Sequence, residues 1–109
     1  GAVMERDAME LKLLADQKKT ESIYLDLITD DPDLMQMSST FTSQLERQKL
    51  TSYQGTNVRN RVEELKKLLQ IGHCVLVLKA GDTTFTRLEE ELQMCQKFKI
   101  DVWGCMIIE

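Results

Sequence analysis

The sequence predicts an α/β protein, with an α+β arrangement as the alternative. The last third of the chain places an amphipathic stretch between two apolar runs, which is the pattern of a strand-helix-strand unit. The chain before Gly72 instead repeats its apolar residues at helical intervals. The predicted elements are helices at about 4–28, 33–50 and 57–71, followed by a β-α-β head with a strand at 73–79, a helix at 83–98 and a strand at 100–108.

The composition is that of an ordinary folded protein. A chain of 109 residues has the size of one domain, and 29% charged with 42% hydrophobic residues argues against wholesale disorder. The formal net charge of −4 argues against a dedicated nucleic-acid binder, because phosphate binding needs a surplus of Lys and Arg on one face. Three cysteines without CxxC spacing and one histidine indicate neither a disulfide framework nor a zinc site.

Targeting signals are not evident in the sequence. The longest nearly apolar run, residues 74–78, is far shorter than the ~20 residues that span a bilayer. The segment around Glu5, Arg6 and Asp7 is charged, unlike a signal peptide, so we expect an intracellular protein of the cytoplasm or nucleus. Gly1 and Ala2 resemble the remnant of a tag, and the chain stops directly after a strand-like run, which favours a piece excised from a longer protein.

The first helix is predicted from two sets of apolar residues that are separated by a polar segment. Ala8, Leu11 and Leu14 have helical spacing, and Ile23 to Ile28 suits a continuation, although residues 16–22 are polar throughout. We therefore expect one long helix over 4–28 or two short ones.

The second helix has a clear start. Asp31 is suited to cap the free amide groups, and Pro32 is suited to a first helical turn. Leu34, Met37, Phe41 and Leu45 then form one apolar stripe. Residues 51–57 are rich in Ser, Gly and Asn and are predicted to form a turn or a helical interruption.

The third helix leaves two interpretations open. Its apolar residues follow the 4-3-4 spacing of a coiled-coil seam, and they are Val58, Val62, Leu65 and Leu69. The run covers less than two heptads, and a helix lying on a sheet shows the same stripe. Packing on a sheet and pairing in a coiled coil are therefore both retained, and Gly72 is predicted to end the helix as a left-handed cap.

The head has two strands that are apolar on both faces. Residues 74–78 and 100–108 each offer apolar side chains in both directions, as strands covered on both sides do. The connecting helix carries Phe85, Leu88, Leu92, Cys95 and Phe98 on one face. A strand, a helical crossover and a second strand form a right-handed βαβ unit with parallel strands.

Two strands alone do not make a stable sheet in water, and the sequence shows no evident third strand upstream. We therefore expect the missing neighbours to come from a second copy of the chain or from a different protein. Residues 1–71 are interpreted as a helical stalk or layer and residues 72–109 as the βαβ head, within one structural domain. This architecture is similar to coiled-coil stalks that end in compact α/β heads.

The chemistry candidates favour structural roles. The turn 79–84 lies between a strand and a helix start, where phosphate can bind, but it has one glycine and an Asp, and neither GxxxxGK[ST] nor GxGxxG is present. A capping turn is favoured over an anion site. His73 and Cys74 are adjacent on a strand and should point to opposite faces, so a thiol-imidazole pair is not expected.

Residues 75–108 resemble the late strand-helix-strand of the P-loop ATPase superfamily that includes bacterial capsule tyrosine kinases. The similar stretches are 75–81, Val-Leu-Val-Leu-Lys-Ala-Gly, and 102–107, Val-Trp-Gly-Cys-Met-Ile. The resemblance covers about a third of the chain, and the nucleotide-binding loops of that superfamily are absent from this sequence. The resemblance implies no ATPase residues here.

The function expected from the sequence is a protein-protein interaction or assembly module, acting as a scaffold or regulatory subunit. The alternative is a fragment or regulatory domain of a P-loop-like nucleotide-dependent enzyme without its own nucleotide-binding loop. We expect a homo-oligomer or a heteromeric protein partner, no membrane association, no nucleic-acid or small-molecule ligand, and no enzyme activity. No catalytic, cofactor-binding or metal-binding residue is proposed. The candidate interface residues are Leu34, Met37, Phe41, Leu45, Val58, Val62, Leu65, Leu69 and Trp103.

Overall fold

A computed structural model describes residues 2–109, apart from the side chains of residues 2–5, Pro32 and Met37. The elements are α1 (Ala2–Gln17), β1 (Ser22–Leu27), α2 (Pro32–Arg47), β2 (Thr51–Thr56), a 3-10 turn (Val58–Asn60), α3 (Val62–Ile71), β3 (His73–Lys79), α4 (Phe85–Lys97) and β4 (Asp101–Ile108).

The four strands form one parallel sheet in the order β2-β1-β3-β4. Helices α1 and α2 contribute to a core on the first face, where Ile23, Leu25 and Leu27 of β1 are buried. Helices α3 and α4 contribute to a core on the second face, which takes the alternate residues Tyr24 and Ile28. The α/β class is confirmed, because the sheet lies between two helical layers, as fully parallel sheets require.

The predicted helix over 4–28 is wrong in its second half. Helix α1 ends at Gln17, and residues 22–27 form the strand β1 between β2 and β3. Every residue from Ile23 to Thr29 is buried. A helix would turn part of this run toward solvent, whereas a strand covered on both faces buries all of it.

The segment predicted as a turn at 51–57 contains the strand β2. It pairs with β1 from Ser22–Thr51 to Leu27–Thr56, and the turn itself is confined to Asn57 and the 3-10 segment that follows. The third and fourth strands therefore come from the chain itself, so the inferred shortage of strands is wrong. Because β1 lies beside β3, residues 1–71 and 72–109 share one sheet and do not form a separate stalk and head.

Helix α3 packs on its own sheet. Leu68 is buried in the second-face core, and Leu65 packs against that core. The Tyr24 hydroxyl of β1 donates to Glu64 Oε2 at 2.6 Å, which ties the helix to the central strand. Gly55 is required at this point of β2, because a Cβ there would overlap the Tyr24 hydroxyl and the Glu64 carboxylate. Of the two interpretations of α3, sheet packing is correct.

The other boundaries agree with the sequence only in part, because the helix predicted at 33–50 ends at Arg47 and the helix predicted from 57 begins at Val62, after the 3-10 turn. Asp31 caps α2 by accepting the Asp33 amide at 2.9 Å, and Pro32 occupies the first turn. Gly72 ends α3 with a left-handed φ of 85°. The strand-helix-strand segment matches the predicted 73–79, 83–98 and 100–108 to within two residues.

Three helices end on a lysine in the left-handed conformation. Lys19, Lys49 and Lys99 have φ of 57°, 61° and 56°, and each follows a helix that closes with a bond from the next amide to a carbonyl five residues earlier. This is the Schellman termination, in which glycine is the usual residue. The left-handed conformation costs a lysine free energy. The positive charge of the lysine near the negative end of the helix dipole offsets part of that cost.

The first testable prediction concerns the position of β1. Leu25 is completely buried and Leu13 is 68% exposed. Leu25→Ala should lower the free energy of unfolding by about 2–5 kcal/mol, because it leaves a cavity in the core. Leu13→Ala should change it by less than about 0.5 kcal/mol. Urea denaturation measures both, and equal losses would contradict the placement of β1.

The second prediction concerns the lysine terminations. Lys49→Gly should raise the free energy of unfolding by about 0.5–1 kcal/mol, because glycine removes the left-handed strain. The control is Lys66→Gly inside α3, which should lower it by about 0.5–1 kcal/mol. Thermal or urea unfolding gives both values, and the same sign for the two variants would be inconsistent with a strained Lys49.

Candidate functional site

Four of the nine candidate interface residues lie in the core. Leu34, Phe41 and Leu45 are buried under the first face, and Val58 is buried under the second. Leu65 is half-buried against its own sheet. Met37 lies in α2, but its side chain is outside the described residues. Val62 and Leu69 are exposed at the surface of α3.

Trp103 is half-buried beside the first-face core and stacks on His73. The indole and imidazole centroids are 4.5 Å apart and nearly parallel. A register shift pairs Cys74 with Val102 and Val75 with Gly104, so Trp103 is the extra residue of a bulge. His73 also contacts the carbonyl oxygen of Ser22 and the Thr20 hydroxyl, while Cys74 lies in the second-face core. The prediction that His73 and Cys74 point to opposite faces is confirmed.

The carboxyl ends of β1 and β3 carry a polar network. In parallel sheets this edge is the usual ligand site where the strand order reverses, as it does between β1 and β3. Lys79 is ion-paired with Asp31, which raises the pKa of Lys79 and lowers the pKa of Asp31. The Thr29 hydroxyl donates to Asp82, and the Thr83 hydroxyl donates to the Ile28 carbonyl at 2.6 Å.

Arg87 adds an ion pair with Asp30 at 3.3 Å. Both cations at this edge are therefore engaged by carboxylates of the β1 loop, and the hydroxyls of Thr29 and Thr83 are used to join the two loops. The geometry supports the capping-turn interpretation of residues 79–84 rather than an anion site.

A buried carboxyl pair lies below this edge. Asp26 of β1 is 1% exposed and Glu91 of α4 is 7% exposed. Neither oxygen of Asp26, nor Oε2 of Glu91, has a hydrogen-bond partner in the described part of the chain. Burial, and next the neighbouring Glu91, raise the pKa of Asp26 well above its usual range. The pair is not predicted from the sequence, where its signal is an acidic residue within the apolar run 23–28.

The two edges of the sheet differ in chemistry. Edge strand β2 has the polar sequence Thr-Ser-Tyr-Gln-Gly-Thr, as solvent-facing edges usually do. Edge strand β4 is longer, and residues 102–108 contain no charged side chain. Proteins protect edge strands with charges, proline or short length, whereas the protection of β4 is limited to its bulge.

The second face of β4 is incompletely covered. Cys105 and Ile107 lie in register with Leu76 and Leu78, so they point to the side of α3 and α4, yet both are exposed. Ile107 is 63% exposed, and Phe85 on the adjoining turn of α4 is 79% exposed. A pocket of about 360 Å³ lies between these two side chains, lined also by Leu78 and Leu88. We call the outer edge of β4, with these exposed side chains and Leu92, the β4 edge surface.

No protein-family model, curated protein or solved structure matches this chain. Within residues 2–109, no helix combines the length and the apolar composition needed to cross a membrane. The described side chains also contain no group of three or more His, Cys, Asp or Glu residues that could hold a metal ion.

The third prediction concerns the cysteines. Cys105 is exposed, whereas Cys74 and Cys95 are buried. A maleimide at mildly acidic pH and low protein concentration should label Cys105 in the native protein and all three thiols in urea, because thiol reactivity requires access. Although Cys105 is exposed, neighbouring groups remove part of its solvent and thereby raise its pKa, so its labelling should be slow and should accelerate as pH rises. Peptide mass spectrometry measures the labelling, and equal native rates for Cys95 and Cys105 would contradict the burial of α4.

Proposed function

We propose that this chain is a protein-interaction module that associates with a second copy of itself through the β4 edge surface. The observation that carries the proposal is the contrast between the polar edge strand β2 and the edge strand β4, in which residues 102–108 are largely apolar and carry no charge. This basis differs from the shortage of strands expected from the sequence, because the sheet already has four strands.

Strand addition is the mode of association that this edge supports. In the described chain, β3 is the only strand that pairs with β4, so the outer backbone groups of β4 remain available for a further ladder. A strand added there would gain main-chain hydrogen bonds, and the side chains of Cys105 and Ile107 would contact the added strand.

The flank of α4 extends the proposed contact. Phe85, Leu88 and Leu92 follow one another at helical spacing, and Phe85 and Leu92 are exposed. Phe85 and Leu88 line one pocket with Ile107 beside the strand, and Leu92 continues the same flank of α4 by its helical spacing. Aromatic and aliphatic side chains clustered in this way are typical anchors of protein interfaces.

A second copy fits this surface better than a charged partner does. Residues 102–108 are uncharged, so antiparallel pairing of β4 with its own copy around a twofold axis places apolar side chains opposite apolar side chains. Each copy carries a net charge of −4, so distant repulsion opposes the pairing and added salt should weaken that repulsion. A basic partner or a nucleic acid would show the opposite salt dependence.

The proposal places the protein inside the cell, in the cytoplasm or nucleus. The support is chemical: all three cysteines are free, including the exposed Cys105, and thiols of this kind persist in reducing compartments. As a scaffold or regulatory subunit, the module would act by bringing together whatever is attached to its two copies.

The fourth prediction tests the proposed interface. Sedimentation equilibrium should show a monomer-dimer equilibrium at micromolar concentration, with dissociation that does not increase when salt is raised to roughly 0.5 M. Ile107→Lys should weaken the dimer by at least about tenfold, because it places an ammonium group where the strands pair.

Leu13→Lys is the matched control. Leu13 is exposed to a similar degree but lies on α1, so this variant should leave the dimer intact. A wild-type chain that stays monomeric up to about 0.5 mM, or equal dissociation by both variants, would refute the proposed interface.

A further inference from the structure

The contact between α4 and the sheet contains an unusual element, the buried pair Asp26 and Glu91. On its own face of the sheet, Asp26 lies in register with Gly55 of β2 and Leu76 of β3, neither of which offers a side-chain donor. The nearest hydroxyl on the same strand, that of Tyr24, donates to Glu64 instead. Glu91 is therefore the polar group that Asp26 meets across the interface.

Such a pair is stable only while it retains a proton. With a proton present, one carboxyl group donates to the other, and the pair carries at most one buried charge. Without it, two negative charges face each other where water is excluded and where three of the four oxygens have no hydrogen-bond partner in the described chain. Loss of the proton therefore removes the hydrogen bond between the two carboxyl groups and adds a repulsion between them. Both effects weaken the contact between α4 and β1.

The surrounding groups provide little compensation. From α4 the pair is faced by Cys95 and by Arg87, and the guanidinium of Arg87 is already paired with Asp30. From β3 it is faced by Cys74, whose pKa is raised by its contact with Cys95 and by burial, so this thiol stays neutral. The nearby groups are Tyr24 from β1 and Glu64 from α3. The charge of Arg61 lowers the pKa of Tyr24, against the larger raising effects of burial and Glu64. Arg87 is the cation that opposes the repulsion by lowering the pKa of Asp26. This effect is the smallest of those that act on the pKa of Asp26.

The rest of the α4 interface is modest. Its buried residues are Glu91, Met94 and Cys95, with Leu88 half-buried, whereas α2 buries Leu34, Phe41 and Leu45 completely. The carboxyl pair therefore contributes a large fraction of the free energy that holds α4 on the sheet. It contributes little to the free energy that holds α2.

We propose that a proton shared by Asp26 and Glu91 holds α4 on the sheet, and that loss of this proton releases the helix. The released state restores water to both carboxylates and uncovers the second face of β1 and β3. This inference does not depend on self-association, because release is an event within one chain.

The direction of the pH dependence follows from proton linkage. The docked state holds its proton above the ordinary pKa of 3.8, whereas a released Asp26 titrates near that value. Docking is therefore strongest below the ordinary pKa and weakens as pH rises toward the raised pKa of the docked state. Within this window the opening constant should rise about tenfold per pH unit for one linked proton, and above it the constant should level off.

Hydrogen exchange of the Ile107→Lys variant, followed by mass spectrometry from about pH 5 to 9, tests the proposal without interference from dimers. After correction for the intrinsic exchange rate, openings of α4 should increase with pH while those of α2 stay nearly constant. Parallel profiles for the two helices would overturn the proposal without any further variant.

Asp26→Asn, made in the same background, removes the titrating group while keeping its shape, and its amide can donate to Glu91. The pH dependence of α4 opening should disappear, and a dependence equal to that of the parent would overturn the proposal. Glu91→Gln tests the pair from the helix side if the Asp26→Asn protein does not fold; burial still raises the pKa of Asp26 in this variant, so the pH dependence should persist over a narrower pH range. In that variant a remaining dependence of parental size would count equally against the shared proton.

Discussion

The burial of β1 on both faces is the constraint on which the other elements depend. The strand lies between β2 and β3, and its run from Ile23 to Thr29 has almost no contact with solvent. Helices α1 and α2 must cover one side and α3 and α4 the other, because alternate residues of a strand point in opposite directions. Three features follow from this position. They are the hydrogen bond from Tyr24 to Glu64, the need for glycine at Gly55 and the burial of Asp26.

The local chemistry of the chain predicted the α/β class, the second helix and the complete strand-helix-strand segment. It did not predict β1, and the reason is physical. Lys19 takes the left-handed position in which a glycine would have signalled the end of a helix, and Asp26 interrupts the apolar run with a charge that strands rarely bury. Tertiary packing compensates for both, and a single sequence does not show that packing.

The candidate site was less predictable than the fold. Periodicity identifies an apolar stripe but not what the stripe faces, so Leu34, Phe41 and Leu45 were indistinguishable from interface residues until the sheet was known. The run from Val102 to Ile108 has the composition of a central strand, yet it lies at an edge. That mismatch between composition and position is the signal for the β4 edge surface, and it requires the strand order to be seen.

The opposite characters of β2 and β4 would also limit the size of the assembly. If the two apolar edges are consumed in pairing with each other, the outermost strands of the combined eight-stranded sheet are both polar β2 strands. Growth would then stop after a single addition, since neither end presents a template for another subunit. The difference between the two edges that allows two copies to pair would thus prevent further copies from adding to form fibrils.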